Sequence, residues 1–190
     1  LKFYSDYINK LFKEYYRILK NTGQIYFNIK SKTFNKKLNT VHWLEFIEGF
    51  KIFDLKSYII WKYAGSFDST KKRFHLDYEI IYHLSKTENI YLNDNCGLND
   101  PLSSVWYVPH NIKKEERIHP TQMPLALVER ILKVSSKPEY LVYDSFMGSG
   151  TTAIGCIKYN IDYIGSELNQ NHYKDSLKRI EKHQLQQKLL

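Results

Sequence analysis

The sequence predicts a single α/β domain. Three observations carry that reading. Apolar runs of strand length alternate with amphipathic runs at helical spacing. One unit, Tyr140 to Glu167, runs strand, glycine turn, helix, strand and acid without a break. No internal repeat or linker-like stretch divides the 190 residues, a length that suits one buried core.

Taken in order, Phe3 to Leu19 is an expected amphipathic helix, with Tyr4, Ile8, Leu11, Phe12, Tyr15, Ile18 and Leu19 on one face. Asn21-Thr22-Gly23 stops it, and Gln24 to Ile29 alternates as a strand. Lys30 to Lys37 holds four lysines and reads as a solvated loop, with phosphate contact as its functional alternative. Val41 to Gly49 reads as a second helix closed by Gly49. Leu55 to Tyr63 and Tyr78 to Leu84 are strands around a polar, basic loop from Gly65 to Arg73. Asn93 to Asp100 is turn-rich, Ser104 to Val108 a short strand, and Asn111 to Arg117 charged and exposed. Pro124 opens a helix to about Val134, with Val128, Ile131 and Leu132 inward. Asn169 caps a last helix on which Tyr173, Leu177 and Ile180 recur, and Gln184 to Leu190 is a tail expected to fray.

In the Tyr140–Glu167 unit, Leu141-Val142-Tyr143 has the composition of a buried strand, and Asp144 ends it. Gly148-Ser149-Gly150 makes the turn, Thr151 to Tyr159 a helix with Ile154 and Ile157 on one side, and Tyr163-Ile164-Gly165 a second strand ending in Glu167. Glycines let a backbone approach a bound molecule, a helix start offers N–H groups to an anion, and an acid at the next strand tip can accept from both ribose hydroxyls. Two glycines alone fit an ordinary tight turn. The strand before them and the acid after point to a nucleoside-type ligand.

Lys and Arg outnumber Asp and Glu by 28 to 20, a charge of +8 that suits a polyanionic partner without requiring one. The two cysteines, Cys96 and Cys156, make neither a disulfide framework nor a metal set, and Cys156 reads as a small buried residue. No apolar run reaches membrane-spanning length and no signal-peptide pattern opens the chain, so the expected partners exclude a membrane and the expected compartment is the cytoplasm.

Just upstream of the unit stands Ile118-His119-Pro120-Thr121-Gln122-Met123-Pro124-Leu125. With Asp144-Ser145-Phe146-Met147-Gly148-Ser149-Gly150-Thr151-Thr152 it resembles the amino-methylating DNA methyltransferases of bacterial restriction–modification systems. These carry His-Pro-Thr-Gln-Lys-Pro about twenty-five residues before Asp-x-Phe-x-Gly-Ser-Gly-Thr-Thr; here Met123 replaces the lysine. Leu19 to Tyr26, Tyr58 to Lys62, Lys72-Arg73-Phe74 and Glu79 to Tyr82 are similar to further parts of that family. The order resembles its permuted beta group, whose members methylate adenine N6 or, less often, cytosine N4.

The resemblance implies a Rossmann-like S-adenosylmethionine-dependent methyltransferase domain with a mixed, mostly parallel sheet and helices on both faces. Residues 1–92 would be the remainder of the catalytic half, 93–117 a loop-rich connection with a role in target recognition, and 118–190 the cofactor-binding half. Asp144, Ser145, Phe146, Met147, Gly148, Ser149, Gly150, Thr151 and Thr152 would line the cofactor pocket, with Glu167 on the ribose and Leu168 beside it. His119, Pro120, Thr121 and Gln122 would close over the methionine end; taken alone, His119 is a polar residue capping the next helix. Duplex DNA is the implied partner, held by Lys36, Lys37, Lys71, Lys72 and Arg73. A homodimer and a cognate restriction endonuclease are further candidates. The expected reaction is direct attack of a flipped base's exocyclic amine on the methyl group, without metal or covalent cysteine.

The family's catalytic Asp-Pro-Pro-Tyr has no counterpart here. No Pro-Pro occurs, and Asp100-Pro101-Leu102 lies too far downstream. Catalytic residues are therefore unassigned and expected upstream of Leu1. That gap keeps a non-catalytic cofactor- or DNA-binding module open as an alternative. Gly148-x-Gly150-x-x-Ala153 with Glu167 also fits a loose dinucleotide fingerprint, so an NAD-dependent oxidoreductase is the remote alternative. Binding of S-adenosylhomocysteine but not NAD separates the two. No Gly-Lys-Ser or Gly-Lys-Thr follows the turn, which excludes a P-loop.

Overall fold

A computed structural model describes residues 2–34, 37–63, 74–110, 112, 117–119 and 121–187. The chain divides into two compact units, Leu1–Tyr91 with Ser103–Tyr107, and Leu92–Leu102 with Val108–Leu190. Among the described residues, no helix is long and apolar enough to cross a membrane.

The first unit begins with α1 (Lys2–Ile18), β1 (Gln24–Ile29), β2 (Lys32–Phe34) and β3 (Lys37–Asn39). A 3₁₀ turn (His42–Phe46), α2 (Glu48–Lys51), β4 (Asp54–Lys62), β5 (Tyr78–Ser85) and β6 (Val105–Tyr107) follow. Its main sheet has the order β1-β5-β4-β6. The sheet is mixed, as expected, but not mostly parallel: β5 runs antiparallel to both neighbours, and only β4 and β6 are parallel.

The inward face of α1 packs Ile8 and Phe12 with Leu44, Phe50, Tyr82 and Leu84 into one apolar cluster. Phe12 sits 5.0 Å from the ring of Phe27 and 5.6 Å from that of Phe50, in tilted and edge-on geometries that aromatic quadrupoles favour. The expected face is narrower than its pattern, since Tyr4 and Ile18 at the helix ends are exposed. Deeper in the sheet, buried His83 stacks on Tyr26 and pairs its Nε2 with the Gln24 side-chain oxygen at 2.8 Å. Burial, aided by the Lys56 charge, pushes its pKa down to about 4.

Two expectations for this unit are corrected. The lysine-rich loop contains the β2–β3 hairpin, with Lys32 opposite Asn39, Thr33 opposite Leu38 and Phe34 opposite Lys37. Lysine does not oppose such a ladder where its side chain reaches water, and β3, which Lys37 opens, is exposed along its length. The Val41–Gly49 helix is broken, with Ile47 extended between the 3₁₀ turn and α2. Gly49 does not close a helix; it lies inside α2, where any Cβ would collide with the backbone of α1 at Asn9. Its amide donates instead to the Asn9 side chain at 2.6 Å.

The second unit holds α3 (Leu125–Ser135), β7 (Leu141–Asp144), α4 (Thr151–Lys158), β8 (Asp162–Gly165) and α5 (Gln170–Gln187). The parallel pair β7–β8 runs from Leu141 opposite Asp162 to Asp144 opposite Gly165. Val128, Leu132, Cys156 and Ile161 form one apolar cluster, and Met147, Ala153, Ile154 and Ile180 another. Cys156 is fully buried, as expected. Pro124 is the N-cap of α3 rather than a first-turn residue. On α5 only Ile180 of the expected apolar set is buried, while Tyr173 and Leu177 are exposed. Nor does the helix fray at Gln184; it holds through Gln187.

Candidate cofactor site

At the C-terminal ends of β7 and β8 the ladder continues past the strands. Ser166 donates its amide to the Asp144 carbonyl at 3.0 Å, and Met147 donates to the Ser166 carbonyl at 2.9 Å. Asp144 then uses both carboxylate oxygens locally. Oδ1 accepts the Phe146 amide at 2.9 Å and Oδ2 the Thr152 hydroxyl at 2.6 Å, so one side chain spans the turn's entry and the first turn of α4.

The turn needs its glycines, because Gly148 and Gly150 have φ of 52° and 76°. At Gly150 a Cβ would also press on Ile180 Cδ1 at 3.1 Å. At Gly148 it would meet only the Phe146 carbonyl within 4 Å, at 3.6 Å, which leaves open space over that residue. Glu167 closes the turn from the other side, accepting the Gly148 amide at 2.9 Å and the Asn169 amide at 2.8 Å. The amides of Phe146, Met147, Gly148 and Gly150 therefore all bond within the protein. Only the remaining N–H groups at this helix start can serve the anion-binding role expected of it.

Met147, Ser149 and Thr151 point inward and are buried, whereas Phe146 and Leu168 are 55% and 102% exposed. Ser145 joins through its carbonyl, which accepts the Ser166 hydroxyl at 3.1 Å. The upstream segment reaches the same place, since the Thr151 hydroxyl donates to the Met123 carbonyl at 3.3 Å. Buried Gln122 shapes that segment, its side-chain oxygen accepting the Ile118 amide at 3.0 Å and its backbone N–H donating to the His119 carbonyl at 3.2 Å. His119 Nδ1 accepts the Thr121 amide at 3.2 Å, which leaves its proton on Nε2, 3.1 Å from His172 Nδ1. Burial and the neighbouring His172 hold the His119 pKa below its ordinary value, against an upward pull from Glu167. The capping role open to His119 is absent, because Pro124 is the N-cap of α3 and receives no side-chain bond.

Two α5 residues at this site carried no sequence signal. His172 meets His119, and Arg179 Nη1 donates to the Ser149 carbonyl at 2.8 Å and the Thr151 hydroxyl at 3.0 Å. Asn169 does cap α5, as expected, its side-chain oxygen accepting the amides of Asn171 and His172. Pro120, Lys36, Lys71, Lys72 and Arg73 lie outside the described residues; Lys37 opens β3 and is exposed. Among the described residues no group of three His, Cys, Asp or Glu side chains is placed to hold a metal ion. A shallow concavity lined by Leu141, Asn160 and Asp162 lies at the opposite ends of β7 and β8, away from this chemistry.

A family model described as DNA methylase matches residues 2–178. DNA adenine methyltransferase YhdJ of Escherichia coli (strain K12) is 29% identical over 93% of this chain and 66% of its own length. The chain spans about two thirds or less of the curated relatives it matches. Among solved structures, the cytosine-N4-specific PvuII DNA methyltransferase superposes with a TM-score of 0.80 at 17% identity, covering 93% of this chain and 70% of that one. The M1.HpyAVI–SAM complex superposes at 0.74 and 22% identity, covering 91% and 81%. At that identity these superpositions speak to the fold, which is the Rossmann-like one of S-adenosylmethionine-dependent methyltransferases.

Proposed function

The chain belongs to the DNA methylase family, and on that premise we propose that it serves the transfer of a methyl group from S-adenosylmethionine to an exocyclic amine of duplex DNA. The observation that carries this reading is the turn with left-handed Gly148 and Gly150, held between the carboxylates of Asp144 and Glu167 at the ends of two parallel strands. The fit is supported by the open space over Gly148, which a Cβ would fill.

In this reading Glu167 takes the ribose hydroxyls while keeping its two amide bonds, since each carboxylate oxygen can accept twice. Exposed Phe146 and Leu168 offer apolar surface to the base, and the segment of His119, Pro120, Thr121 and Gln122 covers the methionine end. When bound, S-adenosylmethionine supplies an electrophilic methyl group. The chain's own contribution is to orient and desolvate it.

Adenine N6 is the target we propose, supported by the name of the E. coli relative and by its alignment along most of the chain. Duplex DNA is held by Lys36, Lys37, Lys71, Lys72 and Arg73, and the two units together make up one methyltransferase domain acting in the cytoplasm. A homodimer and a restriction endonuclease as system partner are carried from the resemblance.

The test is transfer of labelled methyl from S-adenosylmethionine to mixed-sequence duplex DNA, followed by digestion to nucleosides. Label in N6-methyl-2′-deoxyadenosine supports the reading, and label in N4-methyl-2′-deoxycytidine moves the target. Failure to bind S-adenosylhomocysteine would remove the cofactor assignment altogether. Cofactor binding without any label would withdraw the transferase activity from this chain and favour a binding module. Charge reversal at Lys71, Lys72 and Arg73 should weaken duplex binding and flatten its salt dependence; unchanged affinity at low and moderate salt would take that loop out of the interface.

A further inference from the structure

Resting on the cofactor reading above, we propose that Arg179 is a positioning residue for the glycine turn. It lies on α5, away from both motifs, and the family match stops one residue before it. Its Nη1 donates to the Ser149 carbonyl at 2.8 Å, to the Thr151 hydroxyl at 3.0 Å and, more weakly, to the Ser149 hydroxyl at 3.4 Å. The two hydroxyls face each other at 3.2 Å.

Ser149 and Thr151 are only 5% and 4% exposed, so the turn's polar side chains point into the protein rather than toward a ligand. Ser149 is the one residue between two glycines in the left-handed region, and glycine resists distortion of φ less than any other residue. A turn of that kind holds one shape only if the residue between the glycines is pinned. Arg179 pins it from beneath with a charge-assisted bond, roughly twice as strong as a neutral one. The same helix reaches the upstream segment through His172 and His119. Thus α5 registers both parts of the site without lining the space over Gly148.

The test compares the whole chain with Arg179→Met, Arg179→Lys and, as a control, Arg130→Met. Arg130 belongs to the same unit, and its guanidinium serves the Asp100 carbonyl, outside the site. Affinity for S-adenosylhomocysteine is measured by calorimetry, and amide exchange without ligand is followed residue by residue. We expect Arg179→Met to raise Kd roughly tenfold or more and to speed exchange at 148–152, while the β7 and β8 amides keep their protection. Arg179→Lys, retaining one charged donor, should recover part of the loss. Two results overturn the proposal: exchange at the turn unchanged in Arg179→Met, or an affinity loss no larger than in Arg130→Met. A variant that speeds exchange throughout the unit, the β7 and β8 amides included, rather than at the turn also overturns it, as general destabilisation. If the unsubstituted chain does not bind S-adenosylhomocysteine, the cofactor reading fails, while exchange at the turn still decides the role of Arg179.

Discussion

Substituting Glu167 by Gln changes almost no volume and removes one acceptor oxygen and one charge. Oε1 and Oε2 each hold a backbone amide, at 2.8 and 2.9 Å, so neither orientation of the amide side chain can keep both bonds. Whichever way it flips, an NH₂ group faces an N–H. The lost contact is charge-assisted, about 1.5–3 kcal/mol for a bond of that type. Gly148 shares this carboxylate with the proposed ribose hydroxyls, so the loss should appear in binding as well as in folding. That range corresponds to a rise of roughly 10- to 150-fold in Kd for S-adenosylhomocysteine, read by isothermal titration. The unliganded protein should also melt a few degrees lower, about 2–4 °C per kcal/mol for a chain of this size. A Kd within twofold of the unsubstituted chain would refute the reasoning, whatever the melting temperature does. A lowered melting temperature with unchanged affinity would show that Glu167 braces the turn and touches no ligand.

Gly150→Ala should destabilise by about 1–2 kcal/mol from its left-handed backbone alone, and by more because its Cβ presses on Ile180 at 3.1 Å. Gly97→Ala is the matched control: its φ is similar, at 74°, with nothing within 4 Å, so a thermal melt should rank Gly150→Ala as the more damaging. For His83, the folded pKa of about 4 lies below the unfolded 6.5, so the unfolded chain takes the proton first and stability falls as pH drops through that window. About 3 kcal/mol of pH dependence should disappear from urea midpoints in His83→Leu; an unchanged slope would show that this imidazole is not the group responsible. Burial and, secondarily, Asp144 push the Cys156 thiol up to about 12, so native protein at pH 8 should give a thiol reagent only one fast equivalent, from half-buried Cys96. Two fast equivalents would contradict the packing of α4.

The order of strands and helices was legible because each apolar run keeps one period: β1 is Gln24–Ile29 as read from alternation, and α4 begins at Thr151 as read from the glycine turn. Misreadings fell where local composition competes with tertiary contact. Four lysines suggested a loop, yet the segment pairs as a two-stranded antiparallel ladder whose β3 strand is exposed. Gly49 looked like a helix stop, but only the approach of α1 explains it, and Asn9 lies forty positions away. On α5 the spacing of Tyr173, Leu177 and Ile180 marks a stripe, but only the turn beneath Ile180 decides which of the three is covered. The candidate site was legible in its backbone and acids and illegible in its bracing. Nothing in the pattern around Arg179 or His172 sets them apart from the solvent-facing basic residues of the same helix.

The four turn amides that bond within the protein set how this surface can discriminate. A ligand arriving there meets a mould cast before it comes, not a latch that shuts around it. Little backbone ordering is left to set against affinity at that point, so the entropic cost of association is small there. On the proposed cofactor reading, the turn contributes a fixed backbone and room where any side chain would stand, and recognition passes to the neighbouring acid.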